Sequence, residues 1–173
     1  MTRTLVGPFR GPVPSDVMKK VSEVVPRLQI TDIRLVGLNC QLKALPQLDR
    51  AVNVELNNEA KADPVEDDVL GIQIRFILNA KNEGDDTKDF LTLTATFQLT
   101  YEGENVKEIA EDSRIAFANV NAVYNAWPYL RELVQNISSR MSIPPLTVPL
   151  LKVKSLEKKD SGKATVASKA PKK

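Results

Sequence analysis

The sequence predicts an α+β fold: a four-stranded antiparallel sheet covered on one face by C-terminal helices, followed by a disordered basic tail. Three observations carry this. Four stretches of apolar alternation precede residue 102 and the strongest helical periodicity follows it, and strands first with helices after is the order of an α+β unit. The last stretch, Phe90–Tyr101, sets Leu91, Leu93, Ala95, Phe97, Leu99 and Tyr101 against Thr92, Thr94, Thr96, Gln98 and Thr100. A strand with a nearly all-Thr second face is half-buried, so the sheet is antiparallel with one wet side. Finally, eight Lys and two acidic residues fall in residues 151–173, with almost no large apolar group after Leu156. Such a segment cannot bury enough surface to offset the entropy of ordering.

The elements follow in chain order. Residues 1–27 read as an N-terminal arm with a short accessory helix over Ser15–Val25, where Ser15 caps, Val17, Val21 and Val24 share a stripe, and Pro26 stops it. The first strand, Leu28–Leu42, slips phase near Thr31-Asp32 and again at Val36-Gly37, which predicts two bulges or a strong bend. The second, Ala51–Leu56, turns Val52, Val54 and Leu56 inward, and the charged run Asn57–Asp68 breaks it. The third, Val69–Ala80, shares a face among Leu70, Ile72, Ile74, Phe76, Leu78 and Ala80, and a hairpin loop around Gly84-Asp85-Asp86 leads to the fourth. Asn39, Gln41, Gln73, Arg75 and Asn79 join the threonines on the wet side. The dry side falls to Asp112–Met141, capped by Asp112 or Ser113.

Composition narrows the function classes. The chain has 173 residues and 42% hydrophobic content, enough for one domain with tails, here residues 28–151. It contains no His and a single Cys. Imidazole-based nucleophilic triads and zinc sites are therefore impossible, and Cys40 reads as a buried structural thiol in a reducing compartment. The seven glycines form no phosphate cradle, so no nucleotide cofactor is expected. Asp63, Glu66, Asp67 and Asp68 lack the spacing of a calcium loop and read as solvated. Asn136-Ile137-Ser138 matches a glycosylation sequon by chance on a helix. No secretory signal and no window of 18 apolar residues appears, so the expectation is a cytoplasmic non-enzyme with no membrane span, no cofactor and no metal. Binding is what remains.

The stretch Asn125–Leu150, NAWPYLRELVQNISSRMSIPPLTVPL, is the most informative. Pro128 suits a first helical position, Leu130, Leu133, Val134, Ile137 and Met141 make an apolar stripe, and Pro144-Pro145 forbids continuation. The extended apolar run that follows has no donor at Pro149 and packs along a surface. Trp127-Pro128-Tyr129-Leu130-Arg131-Glu132, then Pro145-Leu146-Thr147-Val148, resembles the signature of the bacterial export chaperone SecB, and the resemblance covers about residues 28–151.

That resemblance implies an ATP-independent holdase that binds unfolded or preprotein polypeptides in apolar grooves, built as a homotetramer of two dimers with helices packed between them. Apolar surplus supports both expectations, since Tyr124, Trp127 and Tyr129 do not all point with the Leu130–Met141 stripe. Candidate client-binding residues are Leu45 and Leu48 between the first two strands, Val52, Val54, Tyr124 and Trp127, and Ile143, Leu146 and Val148 in the extended run. Core packing is an equal alternative for Val52, Val54 and Tyr124. The family docks the translocase motor SecA through acids on its wet sheet face. Here Asn39, Gln41, Gln73, Thr92 and Thr94 occupy that docking face, so SecA delivery is expected to be weak, and a chaperone dedicated to an antitoxin client is an open alternative. Residues 1–150 carry 16 Lys and Arg against 20 Asp and Glu, so the positive charge sits in residues 152–173. That tail either solvates the chain or touches nucleic acid or anionic lipid, and without an aromatic stacking platform nucleic acid ranks second.

Overall fold

Four long strands and one interrupted helix make two layers in the computed structural model, which describes residues 5–6, 13–84 and 88–151. In chain order the elements are β1 (Leu5–Val6), α1 (Ser15–Val24), β2 (Gln29–Leu42), β3 (Val52–Ala62), β4 (Val69–Asn82), β5 (Leu91–Glu102), α2 (Glu111–Phe117) and α3 (Val123–Arg140). The sheet order is β1-β3-β4-β5-β2, so the first long strand crosses over to pair with the last. All long pairs are antiparallel, and β1 lies parallel on the β3 edge with Leu5 opposite Val54. Two residues show no alternation, which is why β1 leaves no signal in the sequence. The lysine-rich tail and the Asp85-Asp86 tip of the hairpin lie outside the described residues.

Register agrees with the predicted irregularities. β2 and β5 pair from Gln29–Glu102 to Leu42–Leu91 with shifts between Ile30 and Asp32 and between Leu35 and Gly37, the two places where alternation slips. β3 corrects the prediction: it does not break at Asn57 but runs to Ala62, paired with Ile72 on β4. Glu55, Asn57, Glu59 and Lys61 alternate with Leu56, Asn58, Ala60 and Ala62, so the charges mark a wet face instead of a loop. The real turn is shorter and holds Asp67 and Asp68 at positive φ, 46° and 60°. The Asp68 carboxylate there accepts a hydrogen bond from the Val106 backbone N–H at 2.9 Å.

The dry face of β4 and β5 is closed. Leu70, Ile72, Ile74, Phe76, Leu78, Leu93 and Leu99 are all buried beneath the helical layer. Phe76 meets Phe97 and Trp127 edge-on at 6.1 and 6.0 Å, and Tyr101 meets Phe117 at 5.0 Å. At the end of β5, Gly103 abuts the turn after α1, where an added Cβ would sit 2.0 Å from the Arg27 carbonyl oxygen. No side chain fits there.

Helix boundaries depart from expectation in one instructive way. Pro128 does not open a helix; it lies inside α3, because helical structure begins at Glu111 and continues through a π-turn at Ala118–Ala122. An interior proline costs about 3 kcal/mol, and its missing donor would have served the carbonyl of Tyr124, a residue half exposed to solvent. Burial of Phe117, Val120, Val123, Ala126, Trp127, Leu130 and Val134 offsets that cost. The π-turn keeps Phe117 and Ala122, five residues apart, both buried. Ser15 is the first residue of α1 rather than its cap, and neither α1 nor α2 has a side-chain cap.

Candidate functional site

The end of α3 builds the site. Met141 closes the helix, and Ser142 takes the left-handed conformation at φ 53°. Its N–H donates to Ser139 O at 3.1 Å and the Ile143 N–H donates to Ser138 O at 3.2 Å, a Schellman termination made with serine where glycine is the usual residue. The chain then runs extended as a strap, residues 143–151, back along the helix it has just left.

Three side chains of α3 hold that strap. The Trp127 indole N–H donates to Pro149 O at 2.8 Å, and the Arg131 Nε donates to Val148 O at 2.7 Å. Ser138 Oγ donates to Val134 O at 2.7 Å and accepts from the Leu146 N–H at 3.3 Å. Ile143, Leu146 and Val148 are buried between these bonds. The signature Trp127, Pro128, Tyr129, Arg131, Glu132 and Pro145 is thus largely architecture. Trp127 and Arg131 fasten the strap, Tyr129 tilts against Phe97 at 6.5 Å, and the Glu132 carboxylate accepts from the Asn136 amide.

The proposed client residues divide. Leu45 and Leu48 are 73% and 71% exposed on the crossover from β2 to β3, and Tyr124 is also exposed. Val52, Val54, Trp127, Ile143, Leu146 and Val148 are buried in the chain as it stands. Leu48, Val52, Ile143 and Leu146 nevertheless line one narrow apolar cleft with Pro46, Gln47, Phe90 and Pro144. A wider, more polar cleft of about 430 Å³ continues past Leu45 to Lys43, Lys88 and Asp89. Across the strap, a third of about 220 Å³ is lined by Pro128, Arg131, Glu132, Gln135, Leu146, Thr147 and Val148. Tyr124 belongs elsewhere: with Met18, Val21, Val25 and Val120 it lines a cleft of about 380 Å³ beside α1.

On the wet face, Asn39 pairs with Thr94, and Gln41 with Thr92, so those four lie together. Gln73 lies opposite Gln98, four residues along β5 from Thr94, or roughly 13 Å away. The longer β3 adds two acids, but Glu55 lies 3.9 Å from Lys81 and Glu59 lies 3.6 Å from Arg75. On the dry side Cys40 faces Leu93 half-buried rather than fully buried, and that partial burial pushes its thiol pKa up.

Ser138 is the residue that sequence reasoning passed over. Read as part of an idle sequon, it is buried and ties helix to strap. A serine on an otherwise apolar stripe, four residues after Val134, is the signal that could have found it. The exposure of Leu35, Val36 and Leu38 on β2 left no such signal, since their alternation matches that of a buried strand.

No family model matches the chain. The SecB-like chaperone Rv1957 of Mycobacterium tuberculosis is 25% identical over 154 residues, covering 79% of this chain and 84% of the relative, and the same match recurs in a second strain. The solved structure of Rv1957 in complex with a peptide from the HigA1 antitoxin superposes with a TM-score of 0.71 at 23% identity, over 79% of this chain and 99% of that one. The resemblance first read in Trp127–Glu132 therefore holds along most of the chain, which is similar to the SecB-like chaperones in sequence and shares their α+β fold.

Proposed function

We propose that this chain is an ATP-independent holdase that captures extended apolar segments of unfolded polypeptides. The observation that carries the reading is the pair Leu45 and Leu48, exposed on the crossover beside an apolar cleft lined by Val52 and Phe90. Each large side chain buried there by a client gains roughly 25 cal/mol per Å², without a sequence code. Several such contacts along one client add through avidity.

Assembly as a homotetramer belongs to the same reading. β2 is a 14-residue edge whose Leu35, Val36 and Leu38 stay exposed, and α3 leaves Tyr129 half-covered. A long apolar edge of this kind is covered by another chain or aggregates, and a second copy is the closed solution. Sedimentation at micromolar concentration should give four times 19.2 kDa; a monomer at that concentration removes the assembly. Chaperone activity itself is read by light scattering: the protein suppresses aggregation of a denatured client without ATP, and Leu45→Asp weakens that suppression while the fold persists. Equal suppression by Leu45→Asp would misplace the groove.

A narrower reading is a chaperone dedicated to an antitoxin client, favoured by the HigA1 antitoxin peptide in the similar solved structure. Delivery to SecA ranks below it, because Asn39, Gln41, Gln73, Thr92 and Thr94 carry no charge and the β3 acids Glu55 and Glu59 each lie near a cation. Titrating the SecA tail peptide at about 0.1 M salt, where screening acts over roughly 10 Å, should show weak binding or none. The Lys-rich tail as a nucleic-acid binder ranks last; deleting residues 152–173 should leave client binding intact.

A further inference from the structure

The strap has the features of a bound peptide that happens to be covalently attached. It forms no part of the sheet. Its bonds to α3 run from side chains to its own backbone at Leu146, Val148 and Pro149, as recognition of an extended ligand does. Its apolar anchors, Ile143, Leu146 and Val148, are spaced by three and then two residues. Open space flanks it on both sides, and Leu146 lines both flanking clefts. At its helix end stands Ser142, a non-glycine residue held at φ 53°, where strain is relieved if the chain swings out.

We propose that the strap is a displaceable cover that occupies the client groove in cis. The inference rests on the holdase reading above and deepens it by naming the client register: an extended segment with large apolar side chains at relative positions 1, 4 and 6. When the strap leaves, the two flanking clefts join, and Ser138, Trp127 and Arg131 offer the incoming backbone the bonds they now give the strap. The buried candidates then take their place: Trp127 and Val52 line the groove, while Ile143, Leu146 and Val148 are the occupant a client replaces. Competition in cis also supplies selectivity, because a client gains only the difference between its own fit and that of the strap.

Hydrogen exchange on the full-length protein, with and without saturating reduced and carboxymethylated lactalbumin, tests this directly. Residues 143–151 should exchange at least fivefold faster when this unfolded probe is bound. Unchanged or slower exchange there, with the probe bound, overturns the strap proposal and leaves the holdase reading standing. Failure of the wild-type protein to bind the probe at all overturns both. Leu146→Ala removes an anchor of the strap without touching its partners on α3, so it should tighten probe binding several-fold; equal or weaker binding by the folded variant counts against the proposal. A peptide copying Ser142–Leu151 should displace the probe from the wild-type protein, whereas its scrambled sequence should not.

Discussion

β2 and β5 are hydrogen-bonded neighbours with matched register, yet they live in different solvents. On the dry face Leu35 stands opposite Phe97 and Leu38 opposite Ala95. Phe97 is 3% exposed and Leu35 is 44% exposed. The two strands carry similar alternation, so the pattern alone does not decide burial. What decides it is the layer above. The α2–α3 helix packs over β3, β4 and β5, and β2 extends past its flank with an apolar face that is only half covered. A closed seam and an open rim thus share one sheet, and the rim is where an assembly contact has room to form.

The sharpest way to break this comparison is to truncate both members of the Leu35–Phe97 pair. Phe97→Ala leaves a cavity against Phe76 and Tyr129 and should cost roughly 3–5 kcal/mol of unfolding free energy in denaturant melts. Leu35→Asp, on the same face directly opposite, should cost the isolated chain about 0.5 kcal/mol or less while dissociating the assembly in sedimentation. Equal losses of stability would mean that β2 is as closed as β5.

Tyr101 probes the closed seam by titration. Burial pushes its phenol up to about 12, against the pull of the Asn125 amide that donates to its oxygen at 3.0 Å. Its folded value lies above the unfolded value of 10.0, so its contribution is complete below pH 10 and is lost as pH rises towards 12. Over that window the unfolded chain ionises and the folded chain does not, and stability should fall by roughly 2 kcal/mol. Tyr101→Phe should flatten that slope in pH-dependent melts, at a cost of about 1 kcal/mol at neutral pH for the lost bond. A slope unchanged by the substitution would place the ring in water.

Much of this arrangement was legible in the residues, and the exceptions have physical causes. Period-two alternation located all four long strands, and its two slips located both bulges of β2, because a bulge shifts side chains between faces. The α+β class follows from strands preceding helices, the dry faces of β4 and β5 from their own alternation, and the wet side from the threonine face of β5. β3 runs longer than its alternation suggests because Glu59 and Lys61 resemble a loop until their cross-strand neighbours Arg75 and Gln73 are seen. Pro128 suits a helix start by its own chemistry, but it sits inside α3 because the helix is already formed upstream. At the site, exposure of Leu45 and Leu48 agrees with the reading of an open crossover, while burial of Trp127, Ile143, Leu146 and Val148 depends on the strap folding back. Contacts of that kind join residues 8 to 22 positions apart through backbone atoms, and backbone atoms carry no sequence.

Ser142 ends the helix that closes the seam, and it sharpens the contrast at smaller magnitude. A side chain in the left-handed region costs on the order of 1 kcal/mol that glycine avoids. Ser142→Gly should therefore raise stability by about 0.5–1 kcal/mol, part of the gain being lost to the freer unfolded chain. Destabilisation in thermal melts would show that the helix does not end in that turn.

The smallest effect is expected where α1 meets α2 at the surface of the helical layer. Lys20 Nζ lies 2.5 Å from the Asp112 carboxylate, and both side chains are exposed. The bond to Asp112 raises the Lys20 pKa, and the bond to Lys20 lowers that of Asp112. The carboxylate's contribution is therefore present above its ordinary range and lost as pH falls through its lowered folded value. The ammonium's contribution is complete below the ordinary lysine value and lost as pH rises through its raised one. Solvent screening makes such pairs weak, and α1 also has Val21 and Val24 buried to hold it. Asp112→Asn should leave the global melting transition unmoved and speed amide exchange only in α1, with the difference from wild type vanishing in acid and shrinking at high salt. A global shift would mean that α1 is part of the closed seam, and the boundary drawn between the two regions would move to include it.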